Sequence, residues 1–148
     1  MTEPLGGEEG TIDPGMLRVN GSDAFKKAIA NLIGGLAANA GGNTLSTLAG
    51  QQVSLHSADP GKTGASELTG GGYARKPVTW NAAEVEAGTG RGKITGNPIQ
   101  FDVPAGAIGF YGVWVGGTYL YGKALNPAVT LSAAGKVTIT PTHAYGLQ

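Results

Sequence analysis

The sequence predicts a mainly β protein: an antiparallel β-sandwich of jelly-roll type, with one N-terminal helix and an extended N-terminal arm. Three observations carry this reading. From Gln51 onward, short β-prone runs alternate with turn residues. Before them lies one apolar stripe at helical spacing, and before that a stretch with no apolar period. With 148 residues the chain is long enough to bury a core, and it divides into an arm over 1–21 and a body over 22–148.

The arm, MTEPLGGEEGTIDPGMLRVNG, carries Pro4 and Pro14, and Glu3, Glu8, Glu9 and Asp13 all precede the first base, Arg18. It reads as an extended acidic segment on a mildly basic body, docked on its own domain or on a neighbour, with a solvated tail as the alternative. Fully stretched, about 20 residues reach roughly 65 Å. In the helix next to it, Ser22 or Asp23 caps the start, and Phe25, Ile29, Leu32, Ile33 and Leu36 form one stripe. Asn39 to Gly42 ends it. The stripe packs on a sheet or on copies of itself.

Val53 to His56 alternates, and Asp59-Pro60-Gly61 turns the chain into a polar loop, Thr63 to Gly72. Tyr73 to Trp80 reads as a strand placed at an edge by Pro77. Lys93 to Thr95, Ile99 to Val103 and Phe110 to Val115 are the next strands. Gly116-Gly117 is a hairpin signal leading into Thr118 to Ala124, and Lys136 to Thr140 closes the series with Val137 and Ile139 on one face.

Composition excludes several functions. Ten bases balance ten acids, so the basic excess of a nucleic-acid binder or a polybasic membrane surface is missing. No apolar run approaches the roughly 20 residues of a spanning helix, and MTEPLGGEEG has no apolar signal core. No cysteine is present, which removes thiol nucleophiles, thiolate zinc sites and disulfides. The 27 glycines are well over twice the usual share of about 7%, and charged residues make up 14% against a typical value of about 25%. That balance implies many turns and surface covered by other subunits.

Catalytic groups are sparse. His56, Asp59 and His143 would make a metal site only if the fold brought them together; the alternative is histidines that fix turns or meet solvent. Glu84 and Glu86 fall two apart, as a carboxylate pair or as solvated side chains. No nucleophile elbow is present, and Gly70-Gly71-Gly72 lacks the Lys-Ser/Thr of a phosphate loop. The sequence therefore predicts no enzyme, no metal and no cofactor. Phe110, Tyr111, Trp114, Tyr119 and Tyr121 crowd across the expected hairpin, where they pack a core or line a contact surface. By alternation Phe110 and Trp114 share one face and Tyr111, Val113 and Val115 the other, one set being core.

The run Leu55-His56-Ser57-Ala58-Asp59-Pro60-Gly61-Lys62-Thr63-Gly64-Ala65-Ser66-Glu67, with Gly70-Gly71-Gly72-Tyr73-Ala74-Arg75 and Val78-Thr79-Trp80, resembles a family of tailed-bacteriophage virion proteins. These are the minor tail or tail-fibre-like proteins, with the pattern LHTxDPGxTGxxE and then GGxYARxxV. The likeness extends to Phe101–Gly106, Gly112–Trp114 and Tyr119–Gly122, so it spans residues 22 to 140; the acidic arm departs from the family's shorter beginnings. The resemblance implies a non-enzymatic virion protein at the tail tip or in a fibre, built as a symmetric homo-oligomer, a trimer among the forms. Its partners would be other tail or capsid proteins. Three other roles compete: a decoration protein cementing the head shell through its arm, a host-glycan binder using Tyr111, Trp114, Tyr119 or Tyr121, and, last, a hydrolase working through His56, Asp59 or Glu84. The arm acids Glu3, Glu8, Glu9 and Asp13 are the other expected interaction residues.

Overall fold

In the computed structural model, residues 20–21 and 48–145 are described. The arm's acids and the expected helix lie outside them. The strands are β1 (Asn20–Gly21), β2 (Gln51–His56), β3 (Lys76–Pro77), β4 (Glu84–Val85) and β5 (Gly92–Thr95). Then come β6 (Ile99–Val103), β7 (Gly106–Val115), β8 (Thr118–Leu131), β9 (Gly135–Ile139) and β10 (Thr142–Tyr145). They form a five-stranded sheet β1-β8-β7-β2-β3, a three-stranded sheet β10-β5-β4 and a two-stranded sheet β6-β9. Every pairing is antiparallel.

Several strands stop at glycine or proline: β5 before Gly96, β6 before Pro104 and β7 before Gly116. Gly116, with φ of +57°, turns β7 into β8 between Val115 and Thr118, as a two-residue hairpin demands. Pro77 puts β3 on the sheet edge, where no second ladder needs its missing N–H. The strand expected over Tyr73 to Trp80 shrinks to Lys76–Pro77, because only Lys76 and Pro77 pair with β2. Trp80 instead bridges to Gly96, and its indole donates to Gln51 Oε1 at 2.8 Å.

One face of the large sheet carries Val53, Leu55, Tyr111, Val113 and Tyr121, which join Ile99, Phe101, Val103, Val137 and Ile139 in one continuous core. Val137 and Ile139 share the inner face of β9, as their alternation predicts. Each such fully buried side chain contributes on the order of 1.5–3 kcal/mol.

β7 departs from the expectation that only one of its faces is core. Tyr111, Gly112, Val113 and Trp114 are buried in succession, so both faces are covered. A register shift between Val113 and Trp114 also separates two neighbouring tyrosines: Val113 faces Tyr121, whereas Trp114 faces Tyr119. With Leu120 as the extra residue, Tyr119 and Tyr121 point to opposite sides of β8 although they are two apart in sequence.

Candidate functional site

The second face of the large sheet lies beneath a strap, residues 57–75, which is tied down by a dense set of side-chain hydrogen bonds. The strap leaves at the end of β2 and closes on itself. Glu67 bridges to His56, Ser57 N–H donates to Ser66 O at 3.0 Å and Leu68 N–H donates to Leu55 O at 3.0 Å. Inside, Gly61 N–H donates to Asp59 Oδ1 at 2.8 Å, an Asx turn that sets Pro60 in place. Pro60 is fully buried and packs against Gly122, where any side chain would collide with it. Gly64, at φ of +79°, lies against Trp114; a Cβ there would sit 2.5 Å from the indole.

A chain of hydrogen bonds ties strap to sheet. Trp114 Nε1–H donates to Ser54 Oγ (2.7 Å), and Ser54 Oγ lies 2.6 Å from His56 Nε2. His56 Nδ1 lies 2.7 Å from Ala65 O. A carbonyl can only accept, so Nδ1 carries the proton, Nε2 accepts, and the Ser54 hydroxyl donates. Burial pulls the His56 pKa below its usual value despite the Ala65 carbonyl and the Glu67 charge, which act the other way. The ring is therefore held neutral in one tautomer.

A second anchor centres on Glu67. Arg75 Nε donates to its Oε2 at 2.9 Å, Arg75 Nη2 to its Oε1 at 2.8 Å, and the Tyr73 hydroxyl to its Oε2 at 2.9 Å. Burial would raise the Glu67 pKa, but the Arg75 and Tyr73 hydrogen bonds outweigh it and hold the carboxyl below its ordinary value. The Tyr73 hydroxyl also accepts from Leu55 N–H at 2.9 Å, and its ring stacks on Phe101. Burial pushes the Tyr73 phenol up, so it stays a neutral donor.

Ser54 and His56 have the spacing of a nucleophile and its base, yet the arrangement is structural. Both residues are fully buried, the indole of Trp114 bonds the serine oxygen, and the group behind the imidazole is a backbone carbonyl. His143 lies on the other side of the sheet, packed against Tyr121 at 4.8 Å, while His56 sits beside Gly112 on the strap side. The fold thus separates the histidines of the conceivable His56–Asp59–His143 group. Among the described residues no cluster of three or more His, Cys, Asp or Glu could hold a metal. Glu86 accepts from Thr89 Oγ1 and Arg91 Nη2 at 2.6 Å each, which pulls its pKa down to about 2. Glu84 lies opposite Lys93 on β4. The two carboxylates serve a β4–β5 hairpin.

The aromatic residues expected at a contact surface are enclosed. Tyr111 and Tyr121 belong to the core face, and the Tyr111 hydroxyl donates to Thr142 O at 2.7 Å. Trp114 and Tyr119 meet edge to face at 5.1 Å beneath the strap. All four are at most 8% exposed. Sequence reasoning assigned no role to Ser54, Glu67, Tyr73 or Arg75. The signal that could have found them is that the last three stand inside one dense motif with His56 and Gly64.

The fold and the strap define a structural β domain in which the motif over residues 55–75 is spent on internal anchoring. The chain belongs to the family described as podophage GP4 fiber I protein gp80, whose model matches residues 23–144. It is a bacteriophage fibre protein, a component of the virion. No curated protein and no solved structure matches it.

Proposed function

We propose that this chain is a non-enzymatic tail-fibre building block, a body over 22–148 folded as a jelly-roll-like sandwich that assembles into a symmetric homo-oligomer through surfaces and an acidic arm. The observation that carries this reading is the use made of the motif residues. His56, Gly64, Glu67, Tyr73 and Arg75 all hold the strap on the sheet, so the polar chemistry of the segment maintains shape. Fibre membership accounts for such a domain, because a fibre transmits position and load through rigid, repeated contacts.

The arm over 1–21, with Glu3, Glu8, Glu9 and Asp13, supplies the contact to neighbouring virion proteins in this reading. The low charge of the body supports it, since surface with few charges is suited to be covered by another subunit. The test removes Met1 to Gly15 and tracks two things: the mass of the purified chain by light scattering, and its incorporation into particles. The full chain is expected as a defined oligomer that enters particles, and the shortened chain as a folded body that does not. A full chain that stays monomeric, or a shortened chain that incorporates normally, would overturn the proposal.

A further inference from the structure

We propose that residues 58–66 form an acid-released flap: protonation of His56 lifts this half of the strap from the sheet and uncovers Trp114 and Tyr119, while the other half stays bound. The two halves have anchors of unlike chemistry. Residues 58–66 are tied to the sheet through uncharged groups: His56 Nδ1–H donates to Ala65 O, and the Tyr119 hydroxyl donates to Gly61 O at 3.3 Å. Residues 67–75 are tied through the Glu67–Arg75 ion pair and the Tyr73 hydroxyl. The Tyr73 ring stacks on Phe101 of β6 and fixes that half on the core.

With the ring neutral, each polar hydrogen of the buried chain has an acceptor: Trp114 Nε1–H bonds Ser54 Oγ, the Ser54 hydroxyl bonds His56 Nε2, and His56 Nδ1–H bonds Ala65 O. A second proton on the ring upsets this order. Nε2 then donates to Ser54 Oγ, which already accepts from Trp114, and the displaced hydroxyl hydrogen needs another acceptor in a site closed to water. The imidazolium is also a charge deprived of hydration. Of the charged groups that face it, Glu67 favours the imidazolium and Arg75 opposes it, and the Glu67 carboxylate is already bonded to Arg75 and Tyr73. Ser54, Gly112 and Trp114 bring no charge from the sheet, and burial keeps the Tyr119 phenol un-ionised. Lifting the flap hydrates the ring and ends the conflict.

The two anchors fail in different ranges of pH. Burial holds the His56 pKa below its ordinary 6.5, so the stability from the neutral ring is complete above about pH 6.5 and is lost as the pH falls toward the folded value. Arg75 and Tyr73 hold the Glu67 carboxyl below its ordinary 4.5, so the second anchor outlasts the first. The flap is also lightly packed. Pro60 against Gly122 and Gly64 against Trp114 seat it on the sheet, whereas Ala58, Asp59, Lys62 and Thr63 are exposed. A segment that buries few apolar side chains opens locally at low cost while the rest of the fold persists.

The test uses the isolated full chain labelled with 5-fluorotryptophan, so its failure is separate from failure of the fibre reading, which is read on particles. Trp80 and Trp114 are the two tryptophans of the chain, and they give one fluorine resonance each. Between pH 7.5 and pH 5 the water-to-heavy-water isotope shift of the Trp114 fluorine is expected to rise at least about threefold, with that of Trp80 and the far-UV circular dichroism unchanged. In His56→Gln, whose amide accepts from Ser54 without gaining charge, the Trp114 shift is expected to be the same at both pH values. Where that variant does not fold, the carbon-bound ring protons of His56 in the unaltered sequence are expected to titrate with the midpoint of the Trp114 change. A Trp114 shift that ignores pH would overturn the proposal, and so would loss of the circular dichroism in step with it, because the whole domain would then be opening. A pH response that persists in His56→Gln, or whose midpoint departs from that of His56, would overturn it by placing the trigger elsewhere.

Discussion

The guanidinium carbon of Arg75 lies 3.5 Å from the ring centroid of Trp114, while two of its nitrogens hold the Glu67 carboxylate. One side chain thus clamps two levels of the structure, the strap and the indole buried beneath it. Both members of the ion pair are mostly shielded, with side-chain exposures of 28% and 22%. Shielding lifts the pair above the small value of an exposed salt bridge, and the stacked cation adds to it.

Arg75→Lys removes the planar fork and most of the stacking while keeping the charge. A loss of about 1–2 kcal/mol in urea unfolding is expected, since an ammonium reproduces neither the bidentate bond nor the stack. Arg75→Lys with unchanged stability would mean that charge alone anchors the strap.

Gly64 and Gly112, like Gly122, are positions where an added methyl would collide at the packing between strap and sheet. A Cβ at Gly112 would lie 2.6 Å from Ser54 Oγ and 2.8 Å from His56 Nε2, inside the hydrogen-bond chain. At Gly64 it would meet the Trp114 ring, and the backbone there is left-handed as well. Gly64→Ala and Gly112→Ala are each expected to cost about 1–3 kcal/mol. Gly64→Ala should also shift tryptophan emission to the red as the indole gains water. Gly61→Ala, at φ of +59° but with open space around it, serves as the control: it should carry the backbone strain without the emission shift.

Much of the sheet was legible because strand pattern is local. Ile99 to Val103 alternates buried and exposed residues between clear turns, and its bounds in the fold match the sequence reading. Residues 116 and 117 announced their hairpin through glycine alone. The strap was not legible, because its bonds are long-range: Trp114 reaches Ser54 across 60 residues, and no periodicity encodes that. Leu120 illustrates a second limit. A bulge changes which face a side chain takes without changing the residues on either side, so strict alternation assigns Tyr119 and Tyr121 to one face. The motif pointed to the family, but its residues acquired their roles only when β7 and β8 lay beneath them.

The two histidines set the pH dependence of stability, and both work in the same direction. Burial lowers the folded pKa of His56, and burial together with the Lys123 charge lowers that of His143 to about 4. In the unfolded chain both titrate near 6.5. A group whose folded pKa is depressed binds fewer protons in the folded state throughout that window. The stability from neutral burial is therefore complete above about pH 6.5 and declines as the pH falls toward the folded value. Each histidine then costs up to about 1.4 kcal/mol per pH unit. Glu67 loses its own contribution only lower, below its ordinary value near 4.5. Urea midpoints measured from pH 7.5 to pH 5 are expected to be flat above pH 7 and to drop steadily below 6.5. His143→Phe, which keeps a ring against Tyr121 without a proton to bind, should remove about half of that slope. A slope unchanged in His143→Phe would assign the whole effect to His56, whose protonation puts a hydrogen on Nε2 where the Ser54 hydroxyl now donates, and so breaks the chain that holds the strap.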